Sequence, residues 1–157
     1  MRILAIDPGL EVSAYLFLSE EIGPFGTLSN PEIVRLIDDC SEAIVIEEIR
    51  CFGMPVGRET LDTVRWTGRF EEAAVRNRAA VTFVGRKEVV MHWCGSARAK
   101  DSNLRQALID FYGKPGTKRA PGATYRIKAD VWSALGIAGY FAQMSSDSMT
   151  RPKRHQN

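Results

Sequence analysis

The chain has 157 residues, 45% of them apolar and 25% charged, which allows one domain with a real core and argues against a disordered chain. Its three cysteines, Cys40, Cys51 and Cys94, show no CxxC spacing, and its apolar run from Ala134 to Met144 is too short to span a bilayer, so disulfide-framework and membrane-spanning classes are set aside. The formal charge of +2 hides a segregation: residues 1–50 carry three arginines against ten acids, whereas residues 86–128 carry ten Lys/Arg against three acids.

The first stretch, Arg2 to Gly9, holds four apolar residues in a row, the mark of a strand buried on both faces. Asp7 appears where the run ends, Pro8 stops the ladder and Gly9 permits a turn. Val12 to Leu18 then reads as the second arm of a hairpin. No signal peptide is expected ahead of this strand, and the chain reads as a cytoplasmic protein with structural thiols. Asp7 either bonds the N–H groups of its turn or needs another charge to compensate it.

A short edge strand, Phe25 to Leu28, is expected next. Asn30-Pro31-Glu32 predicts a helix start with Asn30 as cap and an apolar face through about Cys40. Ala43 to Ile46 is a second buried run, ending in Glu47-Glu48. Only one of these two can share a face with Asp7, because strand side chains alternate. Glu47, which follows the run immediately, is the choice. The loop Ile49 to Gly57 carries Phe52 and Met54, which either wedge between bases or pack under the loop, and packing is the expectation.

Arg58 to about Arg78 is the longest helical stretch, with Trp66, Phe70 and Ala73 in one stripe for the core or a dimer contact. Gly68 within it would permit close approach of another backbone. Ala80 to Val84 predicts a third buried strand, and Arg86 to Trp93 a short helix whose His92 reads as structural. Asp101-Ser102-Asn103 opens a helix through Tyr112, with Asp101 or Ser102 placed to cap it. Gly113 to Lys128 is a Gly/Pro-rich basic loop, expected to be mobile until it binds a phosphate backbone. The last helix is expected from about Ala129 to Gln143, with Asp130 in its first turn and small residues allowing close packing. These elements define one domain over residues 1–143, and residues 144–157 read as a disordered basic tail.

Three acids, Asp7, Glu47 and Asp130, thus lie far apart in sequence, each near the end of an element that packs centrally. Carboxylates crowded together repel unless cations neutralise them, and hard oxygen ligands favour Mg²⁺ or Mn²⁺. Two such ions can activate water and stabilise a leaving phosphodiester oxygen.

Ile-Asp-Pro-Gly at 6–9, Ile-Glu-Glu at 46–48 and Asp130 followed by Ala134 to Ala138 resemble RuvC-type Holliday junction resolvases of the RNase H-like superfamily. Ala99 to Leu108 and Tyr125 to Leu135 look most like phage-encoded members. The resemblance covers about residues 1–142. It implies an α/β, RNase H-like fold: a central mixed five-stranded sheet, antiparallel in strands 1–3 and then parallel, flanked by helices. It also implies a homodimer that cuts four-way DNA junctions by paired nicks with Mg²⁺, acting in a bacterial host cytoplasm if phage-encoded. Asp7, Glu47 and Asp130 would be the metal ligands. One departure stands out: the bacterial pattern has a second acid one turn into the last helix, where this chain has Ser133. Either three acids suffice or Asp101 supplies the fourth. Lys100, Lys114, Lys118, Arg119, Arg126 and Lys128 are the expected DNA contacts, with Lys100 placed either at the scissile phosphate or on the general basic surface. The alternatives are a nuclease of this fold acting on RNA/DNA hybrids or other DNA, and a catalytically silent DNA-binding module.

Overall fold

The computed structural model describes residues 1–150. Five strands form one sheet: β1 (Ile3–Asp7), β2 (Val12–Leu18), β3 (Ile22–Ser29), β4 (Ala43–Glu48) and β5 (Val81–Gly85). Their spatial order is β3-β2-β1-β4-β5. The pairs β1–β2 and β2–β3 are antiparallel, as short turns require, whereas β1–β4 and β4–β5 are parallel. Helices make both parallel crossovers: α1 (Asn30–Asp38) leads into β4, and α2 (Arg58–Arg76) leads into β5. Three more follow: α3 (Arg86–Cys94), α4 (Asp101–Tyr112) and α5 (Val131–Thr150). This is the mixed α/β architecture expected, with β1 and β4 side by side at its centre.

The central strands read as unbroken apolar runs because both faces are covered. On one face Leu4, Ile6, Phe17, Ile44 and Ile46 pack with Ile33 and Ile37 of α1 and Phe70, Ala73 and Ala74 of α2. On the other, Ile3, Ala5, Leu16 and Val45 meet Val89 of α3, Leu104 and Leu108 of α4, and Val131, Leu135 and Ala138 of α5. Each fully buried Leu or Ile stabilises the fold by about 1.5–3 kcal/mol.

Helix α5 lies across β1 and β2 and can sit close because it is built of small residues. A Cβ on Gly139 would stand 2.7 Å from the Trp93 ring, and one on Gly136 3.3 Å from Val89. Trp93 also donates its indole N–H to the Gly136 carbonyl at 2.9 Å.

Several local expectations change. α5 runs through Thr150, past the Gln143 expected, and residues 151–157 of the expected tail lie outside the described residues. β3 is longer than foreseen. Ser29, not Asn30, caps α1, and the Glu32 carboxylate accepts the Ser29 N–H at 3.0 Å. Gly68 offers no close approach, since a Cβ there would meet nothing. Phe52 and Met54 do not pack under their loop: they are 60% and 71% exposed, and Lys87 Nζ sits 3.7 Å from the Phe52 ring centre. No described helix is long and apolar enough to cross a membrane.

Candidate active site

Asp7 is the last residue of β1, on the face covered by α5, because it shares strand parity with Ile3 and Ala5. The turn beyond it does not need the Asp7 carboxylate. Gly9 N–H donates to Ser13 Oγ at 3.1 Å, and Ser13 Oγ donates to Asn30 Oδ1 at 2.6 Å. The Asn30 amide then donates to the Gly9 and Leu10 carbonyls at 2.9 and 3.1 Å. Ser13 and Asn30 are fully buried and satisfy one another, so the turn is clamped from behind. A Cβ on Gly9 would collide with the Val12 carbonyl, which fixes glycine there. The turn-bonding alternative for Asp7 therefore falls away.

Glu47 stands on the neighbouring parallel strand with the parity of Val45, hence on the Asp7 face. Glu48 takes the other face and pairs with Arg50 at 2.5 Å, which also binds Glu88. Asp130 lies on the residue before α5, close enough to act on Asp7. Ala129 ahead of it has φ of 45°, a left-handed conformation that costs an alanine about 1–2 kcal/mol.

The electrostatics follow from this crowding. Burial, then repulsion from Glu47 and Asp130, pushes the Asp7 carboxyl up to about 8. Glu47 is also raised, by burial first, while the nearby Arg86 guanidinium favours its charged form. At neutral pH Asp7 thus holds a proton that it shares with Glu47, and the Ser133 hydroxyl bonds to Asp7 as well.

Arg86, which the sequence reading left among the basic residues, is the unforeseen member of the site. It follows Gly85, whose register partner is Glu48, so its Cα lies at the same sheet edge as the acids. Its Nη1 donates to Ser133 Oγ at 2.9 Å and its Nη2 to the Asp101 carboxylate. Arg86, Asp101, Arg105, Asp130 and Ser133 line one open cleft of about 570 Å³. Asp101 does not cap α4. Lys100 is the cap residue, with its N–H donated to Asn103 Oδ1 at 3.0 Å, and the Asp101 side chain is 92% exposed.

Among the described residues, no three Asp, Glu, His or Cys side chains form a ready-made cation cage. The donor set still suits a hard divalent cation. Two half-buried carboxylates on fixed strands crowd each other and a third, and a cation could replace the proton that now relieves them. Asp7, Glu47 and Asp130 are the residues that could hold it. His92 is no candidate: its ring meets Gln143 Oε1 at 2.8 Å and packs edge-on against Trp93 and Tyr140.

Lys100, Lys114, Lys118, Arg119, Arg126 and Lys128 are all exposed, and none forms a salt bridge among the described residues. The loop that carries most of them folds back on itself through backbone and side-chain hydrogen bonds. Gly122 N–H donates to Pro115 O at 2.9 Å, Thr117 N–H to Ala120 O at 3.0 Å, and Thr124 Oγ to Gly113 O at 2.7 Å.

A five-stranded mixed sheet with acids at the ends of its two central strands and a closing helix over them is the RNase H-like arrangement. Among solved structures the chain shares the fold of RuvC resolvases. Thermus thermophilus RuvC superposes with a TM-score of 0.67 at 15% identity, over 92% of this chain and 97% of that one. Its complex with a Holliday junction substrate gives 0.70 at 16%, over 93% and 97%. The yeast mitochondrial Holliday junction resolvase Ydc2 gives 0.57 at 14%, over 92% and 82%. At the level of sequence, no protein-family model and no curated protein matches the chain.

Proposed function

We propose that the protein is a metal-dependent endonuclease that resolves four-way or other branched DNA junctions by phosphodiester hydrolysis. The observation that carries this reading is the pairing of Asp7 and Glu47 at the ends of adjacent parallel strands, half-buried and crowded together, with Asp130 beside them. Such a pair is costly for the fold and gains a purpose when it binds a cation. The shared fold with a RuvC captured on a Holliday junction supports the choice of substrate.

In this mechanism Asp7, Glu47 and Asp130 are the residues that would hold Mg²⁺ or Mn²⁺, with Asp7 and Glu47 free of the proton they share. A bound divalent cation supplies an activated water and neutralises charge on the phosphodiester. The clamp of Ser13 and Asn30 keeps the Asp7 end of β1 from moving as the ligand set forms. Lys100, the exposed lysines and arginines of the hairpin, and Lys128 bind phosphates along the arms. Two copies of the chain supply the paired nicks that resolution needs. The catalytic unit is residues 1–143, which include every residue assigned a role; the basic residues beyond add to DNA attraction.

The test is incubation with a four-way junction, a linear duplex and an RNA/DNA hybrid, in Mg²⁺ or in EDTA. Mg²⁺-dependent cutting of the junction is expected. Cutting of the hybrid alone would replace the substrate assignment. Ser133, where an acid was expected, favours a second reading, a DNA-binding module without chemistry. Junction binding with no cutting in either Mg²⁺ or Mn²⁺ would select it.

A further inference from the structure

Ser133 lies in the first turn of α5, three residues after Asp130, where a carboxylate would complete a set of ligands for two cations. Its hydroxyl is instead occupied by Arg86 Nη1 at 2.9 Å and by Asp7. Asp101 holds the other arm of the same guanidinium. A plain surface ion pair does not account for this arrangement. Asp101 is 92% exposed, so its pairing with Arg86 adds little stability. Arg86 is rooted at the junction of β5 and α3, level with the end of β4, and its charge reaches Glu47.

We infer that Arg86 is a fixed cation of the site: its guanidinium, held by Ser133 and Asp101, takes the place of a second divalent ion, so that each protomer binds one. The inference rests on the metal-site reading above and replaces the two ions expected from the sequence. A second divalent cation near Ser133 would meet a permanent positive charge and a neutral hydroxyl, where it needs an anionic ligand. The guanidinium meanwhile presents N–H donors in a planar fork suited to phosphate oxygens, which an ammonium cannot match. Arg86 thereby contributes the charge that the missing acid and its ion would have brought.

The test is titration of the full chain with Mn²⁺ alone, read by electron paramagnetic resonance and calorimetry. Wild type is expected to bind one Mn²⁺ per protomer, and Arg86→Gln with Ser133→Asp to bind two. Arg86→Gln alone is expected to bind Mn²⁺ about tenfold more tightly, because a like charge has gone, while junction cutting falls by about 100-fold. A merely structural arginine would give the opposite sign, weaker Mn²⁺ binding together with a lower melting temperature. Arg86→Lys should keep the single ion. Two ions in wild type, or one in the folded double variant, would overturn the inference and leave the metal site standing. No Mn²⁺ bound by wild type would overturn both. Should the double variant not fold, the wild-type stoichiometry and the sign of the Arg86→Gln change still decide.

Discussion

The two faces of the sheet are built from the same strands, one residue out of step, and they end differently. On the α1–α2 face, Ile6 and Ile46 are completely buried and the apolar layer runs to the ends of the central strands. On the α3–α5 face, the next residues are Asp7 and Glu47, and the apolar layer stops at two carboxylates that crowd each other. One face holds the molecule together; the other uses that rigidity to keep like charges close. Stability and activity should therefore separate by residue parity.

The strongest way to break this contrast is Asp7→Asn. Junction cutting should fall by about 10³-fold or more, whereas junction binding persists, because the basic surface is untouched. Retained cutting in a gel assay would remove Asp7 from the chemistry. On the opposite face, Ile46→Ala should lower unfolding free energy by about 2–5 kcal/mol in a urea titration. Activity per folded molecule should change little, and a large loss there would show that the faces are not separable.

The pH dependence sharpens the comparison further. Asp7 ionises near 8 when folded and near 3.8 when unfolded, so the folded state binds the extra proton between these values. The metal-free protein should therefore lose stability progressively as pH rises from about 4 to about 8. Mg²⁺ should restore it at pH 8, and Asp7→Asn should flatten the profile. Equal melting temperatures for wild type at pH 5 and pH 8 without metal would contradict the charge crowding. Lys118→Ala with Arg119→Ala lies off both faces. It should weaken junction binding and reduce the log–log salt slope by about 2; an unchanged slope would exclude the hairpin from phosphate contact. The smallest effect belongs to Gly68→Ala, on the exposed side of α2, where a Cβ meets nothing. It should stabilise the helix by about 0.5–1 kcal/mol, and a destabilised variant would mean that something covers this surface.

The strands were legible because burial on both faces leaves continuous apolar runs such as Leu4–Ile6 and Ile44–Ile46. The acids were legible because they interrupt those runs at corresponding ends. The position three residues after Asp130 was harder. Ser133 reads as a missing ligand, and only the folded chain brings Arg86 to it from β5. A signal did exist: a charged residue directly follows this strand too, at the same sheet edge. The clamp of Ser13 and Asn30 left no pattern, since it joins a strand to a helix start across the turn. The basic hairpin looked mobile because glycine and proline count equally in loose loops and tight turns; backbone pairs such as Gly122 with Pro115 fold it back on itself. Phe52 and Met54 were expected inside because they are apolar, but no apolar element covers that loop tip, and Phe52 meets the Lys87 ammonium instead.

The first strand carries one acid of the candidate site and the residue before the last helix carries another. During synthesis, then, no partial chain owns a finished site. The ribosome must release nearly everything before α5 can swing down over β1, so these two acids meet only in a nearly finished polypeptide.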